Sequence, residues 1–299
     1  MTRTTFVSCI VAVVTCAGCG PARHAESLIT PESRFSLPDY LLWSDASATR
    51  QGIQCVELRM HDGTMIDGWV LPSSTRPAKG TMVLLHGINE SKASWPYHGI
   101  AERLARKGYD VVLPDLRAHG DSGGKYITFG VQEKFDIKAL INDLKRQGLV
   151  EGDIFVFGVN YGADVALQYA AIDQRVAGVM AVEPHSDFRS YAYQSLAHRL
   201  GPDEIEDVIE QAGEIANFDV DSSSSVTAVA KISCPLLLVH GLLDTSAPAE
   251  GTRRIFMAAK EPKELRTLGE DQLEILPILE DWIADEMDKI ARTKPRQGD

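Results

Sequence analysis

Gly158-Val159-Asn160-Tyr161-Gly162 lies between two stretches of different character. Before it runs Asp153-Ile154-Phe155-Val156-Phe157, a short apolar segment that predicts a buried strand. After it runs Ala163-Asp164-Val165-Ala166-Leu167-Gln168-Tyr169-Ala170-Ala171, which predicts a helix. A strand must therefore become a helix within five residues. Glycine has no Cβ, so Gly158 and Gly162 let the two elements approach closely. The central residue of so sharp a bend is held at positive φ. Asn adopts that region more readily than other non-glycine residues, and Asn160 suits the bend for that reason.

The same alternation extends outward. Gly80 to Leu85 is a continuous apolar strand ending in His86-Gly87, followed by a helix from about Trp95 to Lys107 and a strand at Asp110 to Pro114. Val131, Phe135, Leu140, Ile141 and Leu144 have helical spacing over 131–147. Further strands are expected at Val176–Val182, Leu236–Val239 and Glu264–Leu268. Helices are expected near Ala249–Ala259 and from Leu273 to about Ile290. Upstream, Ile53–Met60 and Met65–Leu71 alternate around His61-Asp62-Gly63, a hairpin signal. The pattern predicts an α/β domain over 51–292 with a mostly parallel sheet covered on both faces. Residues 186–231 interrupt it. They are mostly helical and more polar, with a loop at Ser222–Ser225, and read as a lid-like insertion or a long crossover. The tail from 293 to 299 is polar.

With 299 residues, the chain is long enough for one large core. Thirty Lys and Arg against 42 Asp and Glu leave a net charge of -12, which disfavours nucleic acid and anionic headgroups as partners. The N-terminus has the order of a targeting segment: Arg3, an apolar run from Phe6 to Val14, then Cys16-Ala17-Gly18-Cys19. It resembles a bacterial lipobox, which implies removal of residues 1–18, acylation of Cys19 and an exported, membrane-anchored protein facing the periplasm or cell exterior. The alternative is a plain secretory signal cleaved nearby. Residues 19–50, with Pro21, Pro31 and Pro38, read as a tether that becomes an N-terminal wrap. Cys55 and Cys234 would remain, in a compartment that permits a disulfide. Once residues 1–18 are removed, no CxxC or Cys/His cluster suggests a metal, and no phosphate-cradling glycine loop suggests a cofactor, so none is expected.

Several motifs, in their order and spacing, resemble the α/β-hydrolases, near the serine aminopeptidase, prolyl-oligopeptidase-like and monoglyceride-lipase-like branches. The glycine-bounded turn resembles their nucleophile elbow, G-x-S-x-G. Val83-Leu84-Leu85-His86-Gly87 resembles the strand and turn before the oxyanion loop. Pro114-Asp115-Leu116-Arg117-Ala118-His119-Gly120-Asp121-Ser122 resembles the D-x-R-x-H-G-x-S loop, and Leu237 to Asp244 the strand that delivers the triad acid. The resemblance covers about residues 53–290.

It implies a triad of Ser, acid and His, in that order. The positions here hold Asn160, Asp244 and Glu270, the last with Asp271 one residue away, and no histidine follows His240. An amide offers no ionisable group for a base to activate, and the base itself is absent from its usual place. The implied oxyanion donors are the backbone N–H groups of Ile88 and Tyr161. His86 and His119 match structural loop positions. His185 follows a strand end, where open α/β sheets place ligands. Three functions stay open: a lipid-anchored, catalytically inactive hydrolase homologue that binds a small carbonyl or carboxylate ligand or a protein partner; a hydrolase of esters or peptides using unusual residues, with Ser122, Ser186 or Ser246 as substitute nucleophile; or a scaffold with a vestigial pocket.

Overall fold

The computed structural model describes residues 21–32, 52–94, 96–241, 249–268 and 276–293. Eight described strands form one sheet: β1 (Gln54–Arg59), β2 (Met65–Leu71), β3 (Thr81–Leu85), β4 (Asp110–Pro114), β5 (Ile154–Val159), β6 (Val176–Val182), β7 (Leu236–Gly241) and β8 (Lys263–Leu268). Their spatial order is β1-β2-β4-β3-β5-β6-β7-β8. β2 pairs antiparallel with β1 and with β4, and every other pairing is parallel. The central strands β3, β4 and β5 read as unbroken apolar runs because both their faces are buried.

One face packs on α2 (Tyr97–Arg106) and α9 (Leu276–Thr293), around Trp69, Tyr97, Leu104, Phe155 and Met287. The other packs on α3 (Glu133–Arg146) and α4 (Tyr161–Ile172), around Leu140, Val156, Tyr161 and Leu167. Charge placement suits α3, with Glu133 and Asp136 in its first turn and Lys145 and Arg146 in its last. It starts two residues later than its periodicity suggests. The Glu133 carboxylate accepts from the N–H groups of Thr128 and Gly130, which holds the preceding segment as a loop.

The interruption at 186–231 contains α5 (Phe188–Leu196), α6 (Pro202–Ala216), a short 3-10 turn at Val220–Ser222 and α7 (Ser225–Val229). α6 opens with Pro202 in its first turn and closes on Asn217 in the left-handed conformation. α8 (Ala249–Ala258) follows β7.

One element departs from the sequence reading. Residues 21–29, read as part of a tether, form α1 (Pro21–Ile29), which packs against α6. Ala25, Leu28 and Ile29 are buried in the core. Their i, i+3, i+4 spacing behind Pro21 is a helical signal, but nine residues are too few for the period to stand out among the surrounding prolines.

Cys55 on β1 and Cys234, just before β7, are both free thiols. Five strands lie between β1 and β7, so roughly 29 Å of sheet separates them. A disulfide between them is out of reach.

Candidate active site

The parallel strands end together, and the end of β5 carries the elbow. A Cβ on Gly158 would overlap the Gly162 carbonyl. One on Gly162 would overlap the carbonyls of Leu85 and His86. Both glycines are therefore required by close backbone approach. Asn160 between them has φ 52° and ψ -121°. This lies outside the left-handed helical well in which Asn is favoured, so the apex is strained whatever side chain it carries. Its N–H donates to Val182 on β6 at 2.8 Å, and its carbonyl accepts from Ala163 at 2.9 Å.

The Asn160 side chain turns back on the elbow. Its Oδ1 accepts the Tyr161 N–H at 2.9 Å. That N–H is one of the two implied oxyanion donors, and the chain's own amide oxygen already occupies it. The other donor, Ile88, is half-buried, and its N–H has no backbone acceptor among the described residues. The loop around it is fixed. The Gly87 N–H donates to Glu90 Oε2 at 2.7 Å, and the Asn89 N–H to His119 Nε2 at 3.3 Å. Asn89 Oδ1 accepts the Glu32 N–H at 2.7 Å, so the segment after α1 crosses the same end of the sheet.

His86 and His119 are structural. His86 Nδ1 lies 2.8 Å from the Gly87 carbonyl, and Nε2 accepts the Leu116 N–H at 2.9 Å. These bonds fix the neutral tautomer with its proton on Nδ1. Burial, helped by the charge of Lys92, lowers the His86 pKa to about 4. His119 Nδ1 faces the Arg117 carbonyl at 2.9 Å, and its ring stacks on Tyr161. Ser122 is also fully engaged, its Oγ donating to the Asp115 carbonyl and accepting the Asp67 N–H.

His185 has a different setting. Its Nδ1 lies 2.8 Å from Asp164 Oδ2, and its N–H donates to Asp164 Oδ1 at 2.7 Å. Ser225 Oγ donates to the same carboxylate at 3.3 Å. Burial pushes the Asp164 carboxyl up, and His185 beside it pulls the other way. The Tyr191 ring packs edge-on against the imidazole. Asp164 sits four residues past Asn160, so this Asp–His couple lies beside the elbow. The sequence reading singled out His185 but not Asp164. The available signal was an acid in a helix whose residues from Tyr161 to Ala170 are otherwise buried and mostly apolar. Ser186 Oγ donates to Ser190 Oγ at 2.7 Å and takes no part in the couple.

A second cluster lies at the end of β4. Asp67, Asp115 and Asp121 converge closely enough to hold a metal ion. The buried Lys92 ammonium stands among them instead, at 2.7, 2.6 and 2.6 Å respectively. Burial works against its charge, but Asp115 and Asp67 outweigh burial and hold its pKa above the ordinary lysine range. Next to it, Arg117 grips Asp136 with two bonds of 2.8 Å. These ion pairs lock the 115–124 loop beneath the elbow.

Asp244, Glu270 and Cys19 lie outside the described residues, as does Ser246. β7 and β8, the strands leading to Asp244 and Glu270, run parallel to β5 and end on its side of the sheet. Glu183, which the sequence reading passed over, follows β6 at φ 53° with its carboxylate against Gly241.

The family model described as alpha/beta hydrolase fold matches residues 80–201. The esterase Pf2001 of Pyrococcus furiosus superposes with a TM-score of 0.67 at 21% identity, covering 89% of this chain and 99% of that one. The uncharacterized protein YfhR of Escherichia coli (strain K12) is 29% identical over 217 residues, 71% of this chain and 70% of its own. The polyketide transferase grgF of Penicillium sp is 26% identical over 282 residues, 79% and 92% respectively. The chain has the α/β-hydrolase fold: a mostly parallel sheet of eight described strands flanked by helices.

Proposed function

We propose that this is a lipid-anchored α/β-hydrolase-fold protein that has lost serine-hydrolase catalysis and binds a small carbonyl or carboxylate compound at the elbow. The observation that carries this reading is Asn160: an amide stands where the fold places a nucleophile, and its oxygen accepts the Tyr161 N–H. A tetrahedral intermediate needs both an attacking oxygen and free oxyanion donors. Asn160 supplies no attacking group and occupies one donor. Glu270 at the position of the base removes a further requirement, the group that takes the nucleophile's proton. The Ile88 N–H is left to receive a ligand oxygen. Relatives named as an esterase and a polyketide transferase support an acyl or carbonyl compound as the ligand class.

The order of Arg3, the apolar run and Ala17-Gly18-Cys19 supports acylation of Cys19. Metabolic labelling with a clickable fatty acid is expected to mark the wild type and not Cys19→Ser; equal labelling of both would sink the anchor.

A second reading, an active hydrolase, is favoured by the Asp164–His185 couple, which has the geometry of an orienting acid and a base. Turnover of short-chain aryl esters by residues 20–299 separates the two. The loss reading expects no rate above a denatured control. A saturable rate that survives Asn160→Ala and disappears in His185→Gln would establish the couple as the base.

A further inference from the structure

We propose that the flank formed by α1, α5 and α6 is the surface that meets a lipid bilayer, held there by a two-residue leash. The inference rests on the acylation of Cys19 proposed above. Pro21 is the first residue of a docked helix. Ala25, Leu28 and Ile29 are buried, and the Ile29 carbonyl accepts the Ile127 N–H at 2.9 Å. Lys125 Nζ holds Glu26 at 2.8 Å. Only Gly20 separates α1 from Cys19, and two residues span at most about 7 Å. An acyl chain inserted in the hydrocarbon therefore holds the start of α1 at the headgroup layer. A long flexible tether would let any face of the molecule meet the membrane, and this leash does not.

The chemistry of the flank agrees with that placement. Arg23 and Arg199 line one cleft with Tyr191, and exposed His198 adjoins Arg199 in sequence. Such groups suit phosphate at a membrane surface, with tyrosine an amphipathic neighbour. The exposed side of α6 carries Asp203, Glu204, Asp207, Glu210 and Glu214, which repel anionic lipid. The surface that fits is therefore zwitterionic, such as phosphatidylcholine. α1 is about 13 Å long, and the segment leaving it bonds Asn89 beside the elbow. A ligand bound at the elbow is thus held on the bilayer side of the fold.

The test uses the full-length acylated protein on phosphatidylcholine vesicles doped with a nickel-chelating lipid. Nitroxides are placed at Arg199→Cys, on the flank, or Gln147→Cys, exposed just before β5 at the opposite end of the sheet, each in a Cys55→Ser, Cys234→Ser background. Relaxation enhancement is expected to be several-fold greater at 199 than at 147. Inserting about twenty Gly and Ser residues between Gly20 and Pro21 should abolish the difference while vesicle binding persists. Equal enhancement at both sites in vesicle-bound protein with the native leash would overturn the orientation. Vesicle binding that is absent in the wild type, or retained by Cys19→Ser, would instead overturn the acylation on which it rests.

Discussion

At the apex of the elbow, an amide does something a hydroxyl does not: its carbonyl oxygen reaches the next backbone N–H and accepts from it. Asn160→Ser would free the Tyr161 N–H but leave no base at position 270, so ester turnover by that variant is expected to stay at background. Asn160→Ser combined with Glu270→His restores the three side-chain types around Asp244. Because the triad acts as a unit, weak turnover is expected in the double variant and in neither single one. The glycines are less replaceable. Gly162→Ala forces a Cβ into the Leu85 and His86 carbonyls and is expected to cost roughly 3 kcal/mol or more, read as a lower denaturant midpoint. His86 gives a pH signature. Its folded pKa of about 4 lies below the ordinary 6.5, so the folded state binds fewer protons between those values. Its contribution to stability is full above pH 6.5 and is lost as pH falls toward 4, on the order of 3 kcal/mol across the window. Urea unfolding of His86→Gln over that range should show a correspondingly flatter pH dependence than the wild type; parallel curves would count against a neutral, buried His86.

At the scale of elements, period and punctuation made most strands and helices legible. Continuous apolar runs marked β3, β4 and β5, and the 3.6-residue spacing of Leu140, Ile141 and Leu144 marked α3. The elbow was legible because the strand before its two glycines, the helix after them and the order of the neighbouring motifs agree; the glycines alone would also fit an ordinary turn. The pairings of Asp164 with His185, and of Lys92 with three aspartates, were not. Their partners lie 21 to 29 residues apart and have no common local pattern. α1 was missed because its apolar stripe is only three residues. Lys92 now reads as the tethered cation of the 115–124 loop. Lys92→Met would leave three carboxylates facing one another without their counter-charge, and a loss of roughly 3–5 kcal/mol is expected in chemical denaturation. A change within experimental error would show that the cluster tolerates the loss by taking up protons or an ion.

Across the whole molecule, the sheet separates two cores and gathers its strand ends at one site, where an enzyme of this fold would place its chemistry. The scaffold has the α/β-hydrolase fold, and Asn160 stands at the apex of the turn after β5. Among the described residues, the carboxylates of Glu90 and Glu183 lie at that end. A net charge of -12 disfavours an anionic macromolecule as a partner. The central claim is that no side chain here acts as an activated nucleophile. Intact mass measurement after incubation with a fluorophosphonate tests it most directly, since that reagent adds only to an activated hydroxyl. The account predicts an unchanged mass for the wild-type chain. A stoichiometric adduct mapped to Ser122, Ser186, Ser246 or any other serine would contradict it.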